Sequence, residues 1–434
     1  MHEGGSVPYH AIVDRASVIP PLDPVWLIVF TTVFAVSALL TLRRPVFGAA
    51  ILVAIPPFAF QHAFLGTSID TSKCALLGVV AGLLGARGVR AALARPPVRT
   101  ILTAFIAIVL AIALSTLPAL YRTEVAREVL KWLQYGAYFG AAAAAYALDP
   151  QARFVRTALF ASVFVTVASA CADLVTGAHS GMWLGNFAVP RIAGLLEGPN
   201  QFGGYLEAVI AAVAAWHLAR PGRVSGALLA CTGFALALTF SRAATACCAL
   251  AVAIIALTNR KQSARLLPLL AGFLLGACND ALWSLGKGVP ARSMLERTSD
   301  LKATGGIGSR GELWRAALFF FRTHPVFGIG AGNFEFELPR AGVYGVRTHA
   351  NSWYLQSLAE GGIVLFGATL AWIVVVLRAL ARNVTATPWR LAAFAASIAL
   401  VTHQLADYLV LYPKVAETWI ALIGLGVAPA RSDE

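Results

Sequence analysis

His349 is the residue of this chain best placed for proton chemistry, because of what surrounds it. It stands in "RTHANSWYLQSLAEGG", residues 347–362, where Arg347, Asn351, Gln356 and Glu360 crowd the start of a long apolar segment. An imidazole ordinarily titrates near ~6.5, so it can accept a proton at neutral pH. His349, Trp353, Gln356 and Glu360 are spaced by four, three and four, which places them on one face of a helix that begins near His349. Such a face is tolerated at membrane depth where it lines a water-accessible cavity. The competing reading is an interfacial histidine tied to Gln356 or to a backbone group.

A second set is cationic. Arg191, Arg242 and Arg310 each stand at the edge of an apolar stretch, and Arg347 sits beside His349. A guanidinium stays charged and makes forked contacts with phosphate. Together these arginines suit the diphosphate head group of a lipid. Taken singly, each fits an arginine reaching from a span end to lipid phosphates. Glu197 and Asn200, in "EGPN", are available to a ligand or to a helix cap. Glu207, Asp173, His403 and Asp407 lie inside apolar segments. His403 and Asp407, four apart, read as a structural hydrogen-bonded pair; the alternative is a proton path of the kind a transporter needs. Glu335 and Glu337 are the nearest approach to a metal motif, and no His/Cys cluster has ligand spacing. The expectation is therefore no metal and no cofactor.

These groups must be positioned by helices in a membrane. Of 434 residues, 58% are hydrophobic and 13% charged, where a soluble domain carries about 25% charged residues. The chain reads as an all-α polytopic membrane protein with about 12–13 transmembrane helices. The spans fall near 25–42, 46–65, 75–93, 100–118, 130–148, 155–175, 199–218, 224–240, 243–258, 265–284, 351–380, 389–411 and 415–429. The net charge of +13 is not a nucleic-acid signal, because the basic residues crowd alternate short loops. Arg43, Arg87, Arg95, Arg153, Arg220, Arg260 and Arg382 mark those loops. The positive-inside rule makes that side cytoplasmic and puts the arginine set and His349 on the other face. The six cysteines lie in or beside spans without a CxxC and read as small buried hydrophobes.

The organisation is a single integral membrane domain, 1–434, with a periplasmic loop insertion at 285–350. No basic stretch with a small-residue cleavage site precedes the first span, so the N-terminus is expected to be retained. Within the insertion, Ser309 and Glu312 form a capping-box pattern. An interfacial helix over about 310–322 should follow, with Trp314, Ala317, Leu318 and Phe321 as its buried stripe. Arg310 projects from the same side and needs an anion or a partner there. "GIGAGNF" after it supplies glycines for a tight turn.

Four stretches resemble the lipid A-core O-antigen ligase family, within the wider group of O-antigen polymerases. They are "RIAGLLEGPNQFGGYL", "TFSRAATA", "SRGELWRAALFFFRTHPVFGIGAGNF" and "THANSWYLQSLAEGGIVLFG", in that order. The resemblance implies a GT-C-like glycosyltransferase working at the periplasmic face of the inner membrane. The donor would be a glycan on undecaprenyl diphosphate and the acceptor a lipid A-core sugar, with no metal or nucleotide. His349 would be the catalytic base. Arg191, Arg242 and Arg310 would hold the diphosphate, and His324 would be an accessory polar group. The neighbouring readings are a polymerase using a lipid-linked acceptor, a protein-glycosylating relative, and a lipid-linked oligosaccharide or ion-coupled transporter.

Overall fold

The computed structural model describes residues 20–64, 67–176, 180–184, 187–286 and 307–429. The expectations for the N-terminal segment 1–19, for residues 287–306 of the insertion and for the side chain of Ser309 lie outside the described residues. The chain is an all-α polytopic membrane protein, with sixteen α-helices and two short β-hairpins among the described residues. Five helices are long and apolar enough to cross a bilayer by themselves: α1 (Pro24–Arg43), α5 (Pro96–Leu114), α7 (Ala152–Thr176), α8 (Pro199–Ala219) and α14 (Trp353–Ala381). The shorter or more charged α2 (Pro45–Ala54), α3 (Thr71–Leu84), α4 (Val89–Ala94) and α6 (Arg122–Leu148) complete the first half. The second half adds α9 (Arg223–Leu238), α10 (Arg242–Thr258), α11 (Leu267–Gly286), α12 (Ile307–Thr323), α13 (Phe334–Glu337), α15 (Pro388–His403) and α16 (Pro413–Val427).

Three spans are shorter than hydropathy suggests. The second helix stops at Ala54, because Pro56-Pro57 impose a 3-10 turn before the hairpin β1–β2 (Gln61–Phe64, Thr67–Asp70). The third breaks after Leu84 and resumes as α4 behind Gly88, which adopts φ +90°. The twelfth ends at His403, so His403 and Asp407 do not share a helix. A second hairpin, β3–β4 (Ser180–Leu184, Phe187–Arg191), precedes α8. Helix α8 is buried along almost its whole length, and its run of alanines lets α10, α15 and α16 approach closely.

The long span 351–380 is also not one helix. Gly362 adopts φ 59° and ψ −157°, which breaks α14 one third of the way along. The chain from Pro325 to Gly330 threads through the break. Ile329 N and Gly330 N donate to the carbonyls of Ala359 and Glu360, while Ile363 N and Val364 N donate to those of Pro325 and Val326. The backbone groups freed by the kink are thereby satisfied, as burial demands. Two glycines make the crossing possible. A Cβ on Gly328 (φ +65°) would lie 2.2 Å from the Glu360 carbonyl carbon, and one on Gly362 would lie 2.4 Å from that of Val326. Gly328→Ala should therefore destabilise the fold by about 2–5 kcal/mol, combining a left-handed backbone with a backbone clash. Thermal unfolding in detergent checks it, and an unchanged transition would refute the crossing.

Helix α12 begins at Ile307, so Ser309 lies inside it and does not cap it. Its buried stripe is Leu313, Ala316, Ala317 and Phe320, packed with Ile329, Phe334 and Ala359, one step round from the expected one. Leu318 and Phe319 face outward.

Candidate active site

The linker between α15 and α16, residues 404–412, is the hub of the insertion end. Its own side chains shape it. Gln404 Oε1 accepts from Leu409 N at 2.9 Å, and Asp407 Oδ1 accepts from Tyr408 N at 2.7 Å. The first helical amide of α14, Trp353 N, donates to the carbonyls of Gln404 and Asp407 at 3.0 and 3.1 Å. The linker thus holds the segment that carries His349.

His349 lies in the coil three residues ahead of the α14 cap, Ser352, and not on the helix. The shared face with Trp353, Gln356 and Glu360 therefore does not include it. Its Nδ1 accepts from Asn351 N at 3.1 Å, helped by the left-handed turn at Asn351 (φ 49°). The neutral ring then carries its proton on Nε2, which stands 3.4 Å from Tyr412 Oη. Tyr408 packs edge-on to the same ring at 5.7 Å. Gln356 is buried and serves the backbone, accepting from Ala350 N at 2.7 Å and donating to Glu360 at 2.9 Å. It fixes the segment before the helix and does not line an open site.

Two arginines reach the hub. Arg310, on the buried side of α12, donates to the Ala406 carbonyl, which is the partner its position required. Arg191 donates to Thr239 O at 2.7 Å, at the end of α9, and to Asn200 Oδ1 at 2.8 Å. Asn200 in turn donates to Asp407 Oδ2 at 3.4 Å. Arg242 opens α10 after a tight turn in which Phe240 takes φ 52° and Ser241 caps the helix. The first turn of α8 lies between the start of α10 and the hub: Gly203 packs on Ser241 and Ala244, and Gly204 packs on Leu409 and Val415. Arg347 stands over the Phe336 ring at 5.2 Å. Lys414, just past the hub, donates to Leu195 O and lies 3.7 Å from Glu197. Surrounding protein pushes the Glu197 carboxyl above its ordinary range, and Lys414 works against that shift.

The comparison with protein families bears on this arrangement. Residues 227–370 match the family described as O-antigen ligase. That match supports assigning the chain to the O-antigen ligase family. No curated protein matches the chain significantly. The family implies glycosyltransferase-type activity on lipid-linked glycans in a membrane. Arg242, Arg310, His324, Arg347, His349 and Asn351 fall inside the O-antigen ligase segment, whereas Arg191, Glu197, Asn200 and the hub fall outside it.

His324 is not brought to the hub. It follows α12 at the end opposite Arg310, ~21 Å away along a helix rising ~1.5 Å per residue, and its Nδ1 lies 3.0 Å from Thr323 Oγ1. His403 pairs with Glu207 at 2.5 Å, where the sequence suggested Asp407. Cys247 completes a buried trio whose donor atoms lie within 4.8 Å of one another. These three could hold a metal, but the imidazole–carboxylate hydrogen bond already joins two of them. Sequence reasoning missed the hub itself. Tyr408, Tyr412 and Lys414 sit in "ADYLVLYPK", and Pro413 was the one signal that the helix had ended.

Proposed function

We propose that this protein transfers a polysaccharide from undecaprenyl diphosphate to a lipid A-core sugar, in the inner membrane with its site toward the periplasm. The acceptor hydroxyl loses its proton to His349 as its oxygen bonds to the anomeric carbon. The bond from that carbon to the phosphate oxygen breaks with inversion, and the diphosphate leaves as an anion. Arg310, Arg191 and Arg242 stabilise the charge that grows on it, as fixed cations aimed at the transition state. Arg347 and Lys414 add positive potential at the mouth. Asn351, Asn200 and Glu197 position His349, Arg191 and Lys414. The observation that carries this reading is the convergence on one linker. His349 reaches it through Tyr408 and Tyr412, Arg310 through Ala406, and Arg191 through Asn200 and Asp407.

As placed, the His349 ring offers Nε2–H, so proton abstraction requires it to turn or exchange tautomers when substrate binds. The cationic residues of the opposite end, among them Arg44, Arg156, Arg265 and Arg390, support the orientation. The test is purified protein in proteoliposomes with undecaprenyl-diphosphate glycan, rough-type lipopolysaccharide and EDTA. Glycan should appear on the lipopolysaccharide. Growth of the lipid-linked chain in its place would make the protein a polymerase, and no transfer to either acceptor would overturn the reading.

A further inference from the structure

Three helices bring a carboxylate, a thiol and an imidazole together inside the bundle. Helix α15 packs on both α8 and α10, and α10 packs on α8. Glu207 of α8, Cys247 of α10 and His403 of α15 meet there, with relative exposures of 0%, 6% and 2%. One donor atom from each lies within 4.8 Å of the other two. We propose that these three side chains form a structural zinc site that clamps the three helices to one another.

The donor set is the first argument. A thiolate, an imidazole and a carboxylate together suit zinc, whereas magnesium and calcium take oxygen. Ligand atoms ~2.0–2.3 Å from a tetrahedral zinc stand ~3.3–3.8 Å apart. Glu207 Oε1 and His403 Nδ1 are 2.5 Å apart. The metal therefore replaces the proton between them, and the two groups part by about 1 Å. Glu207 Oε2 supplies a fourth donor. It is buried and accepts no hydrogen bond among the described residues, not even from the Cys247 thiol. A buried polar atom ordinarily has a partner, and zinc held by both carboxylate oxygens gives it one.

Charge is the second. An ionised Glu207, a protonated His403 and the Cys247 thiol sum to zero. So do Zn²⁺, two anionic ligands and a neutral imidazole. Two protons leave as one Zn²⁺ enters, one from the imidazolium and one from the thiol. A net charge is costly at membrane depth, and this exchange creates none. Asp407 and Arg310, whose fields also reach His403, are opposite in sign.

Position is the third. Cys247 lies ~7.5 Å along α10 from Arg242, and Glu207 lies ~10.5 Å along α8 from Asn200, the residue that holds Arg191. His403 adjoins Gln404, the first residue of the hub. One ion at this point sets the spacing of Arg242, Arg191 and the hub. The expectation of no metal rested on spacing along the chain, and residues 207, 247 and 403 have no such spacing. Because the ligands are closed to solvent, zinc enters as the bundle folds, and EDTA added to the folded protein leaves it in place.

The test reads metal and not transfer, so it stands apart from the function proposed above. Protein produced in zinc-supplemented medium and purified in detergent should carry about one zinc per chain by elemental analysis. Cys247→Ser should carry almost none, since even an outer-shell partner is worth ~10–100-fold in metal affinity. Glu207→Gln keeps a hydrogen-bonding partner for His403 and should lose the metal as well. Cys231→Ser, at an exposed cysteine of α9, should keep it. Protein produced with cobalt should show thiolate-to-metal absorption in the near ultraviolet, and Cys247→Ser should not. Circular dichroism matching the wild type identifies the variants that fold, and either of the two suffices. Absence of zinc from the wild type, unchanged zinc in a folded Cys247→Ser or Glu207→Gln, or a cobalt spectrum without the thiolate band would overturn the proposal.

Discussion

His349→Ala should lower glycan transfer about 10²–10⁴-fold, the usual contribution of a positioned proton acceptor. Stability should change little, because the ring is half-buried in coil, and its approach to Tyr412 at 3.4 Å, its edge-on contact with Tyr408 and the Asn351 amide are all local to the coil and the hub. The Asn351 amide on Nδ1 makes the experiment sharper. A ring that merely donates from Nε2 to the departing phosphate is replaceable by a glutamine amide, which also donates. A ring that accepts the hydroxyl proton is not. His349→Gln should therefore be as defective as His349→Ala, and wild-type kcat should rise with pH through the range in which an imidazole loses its proton. Substantial activity in the glutamine variant, with a rate flat in pH, would assign His349 to hydrogen-bond donation and leave the base elsewhere.

The parts of this molecule that hydropathy governs were legible, and those governed by long-range backbone contacts were not. Each of the thirteen apolar stretches carries helix in the structure, although the third holds two helices and the stretch 351–380 is broken at Gly362, because a segment in the bilayer must satisfy its own backbone. The break at Gly362 was hidden. "EGGIVLFG" has the hydropathy of an uninterrupted span, and only the distant carbonyls of Pro325 and Val326 make the broken form stable. For the same reason His349 seemed to be on a helix. The α12 stripe was misplaced by one step because the helix has apolar residues on two sides. Leu313 and Phe320 meet protein, while Leu318 and Phe319 face out. A period of 3.6 cannot say which side is which. The hub was least visible. Residues 404–412 still carry enough Leu and Val to read as the end of the span before them, and the roles of Gln404, Asp407, Tyr408 and Tyr412 come from partners distant in sequence.

Arg310→Ala should cost about 10²–10³-fold in transfer, or ~2.7–4 kcal/mol, the scale for removing one donor to a developing anion. Two explanations would give the same loss. Either the guanidinium holds the diphosphate, or it only ties α12 to the Ala406 carbonyl and thereby keeps the hub in place. Geometry favours both roles at once, since the fork has five donors and the Ala406 carbonyl takes only one. Arg310→Lys separates them. A lysine keeps the charge and can still bond to a carbonyl, but as a point donor it cannot do that and grip a phosphate bidentately. If the diphosphate role holds, the lysine variant should melt like wild type, lose most of its activity, and escape inhibition by a short polyprenyl diphosphate. Normal transfer and normal inhibition in Arg310→Lys would reduce Arg310 to a tether and leave Arg191 and Arg242 as the cations that face the donor.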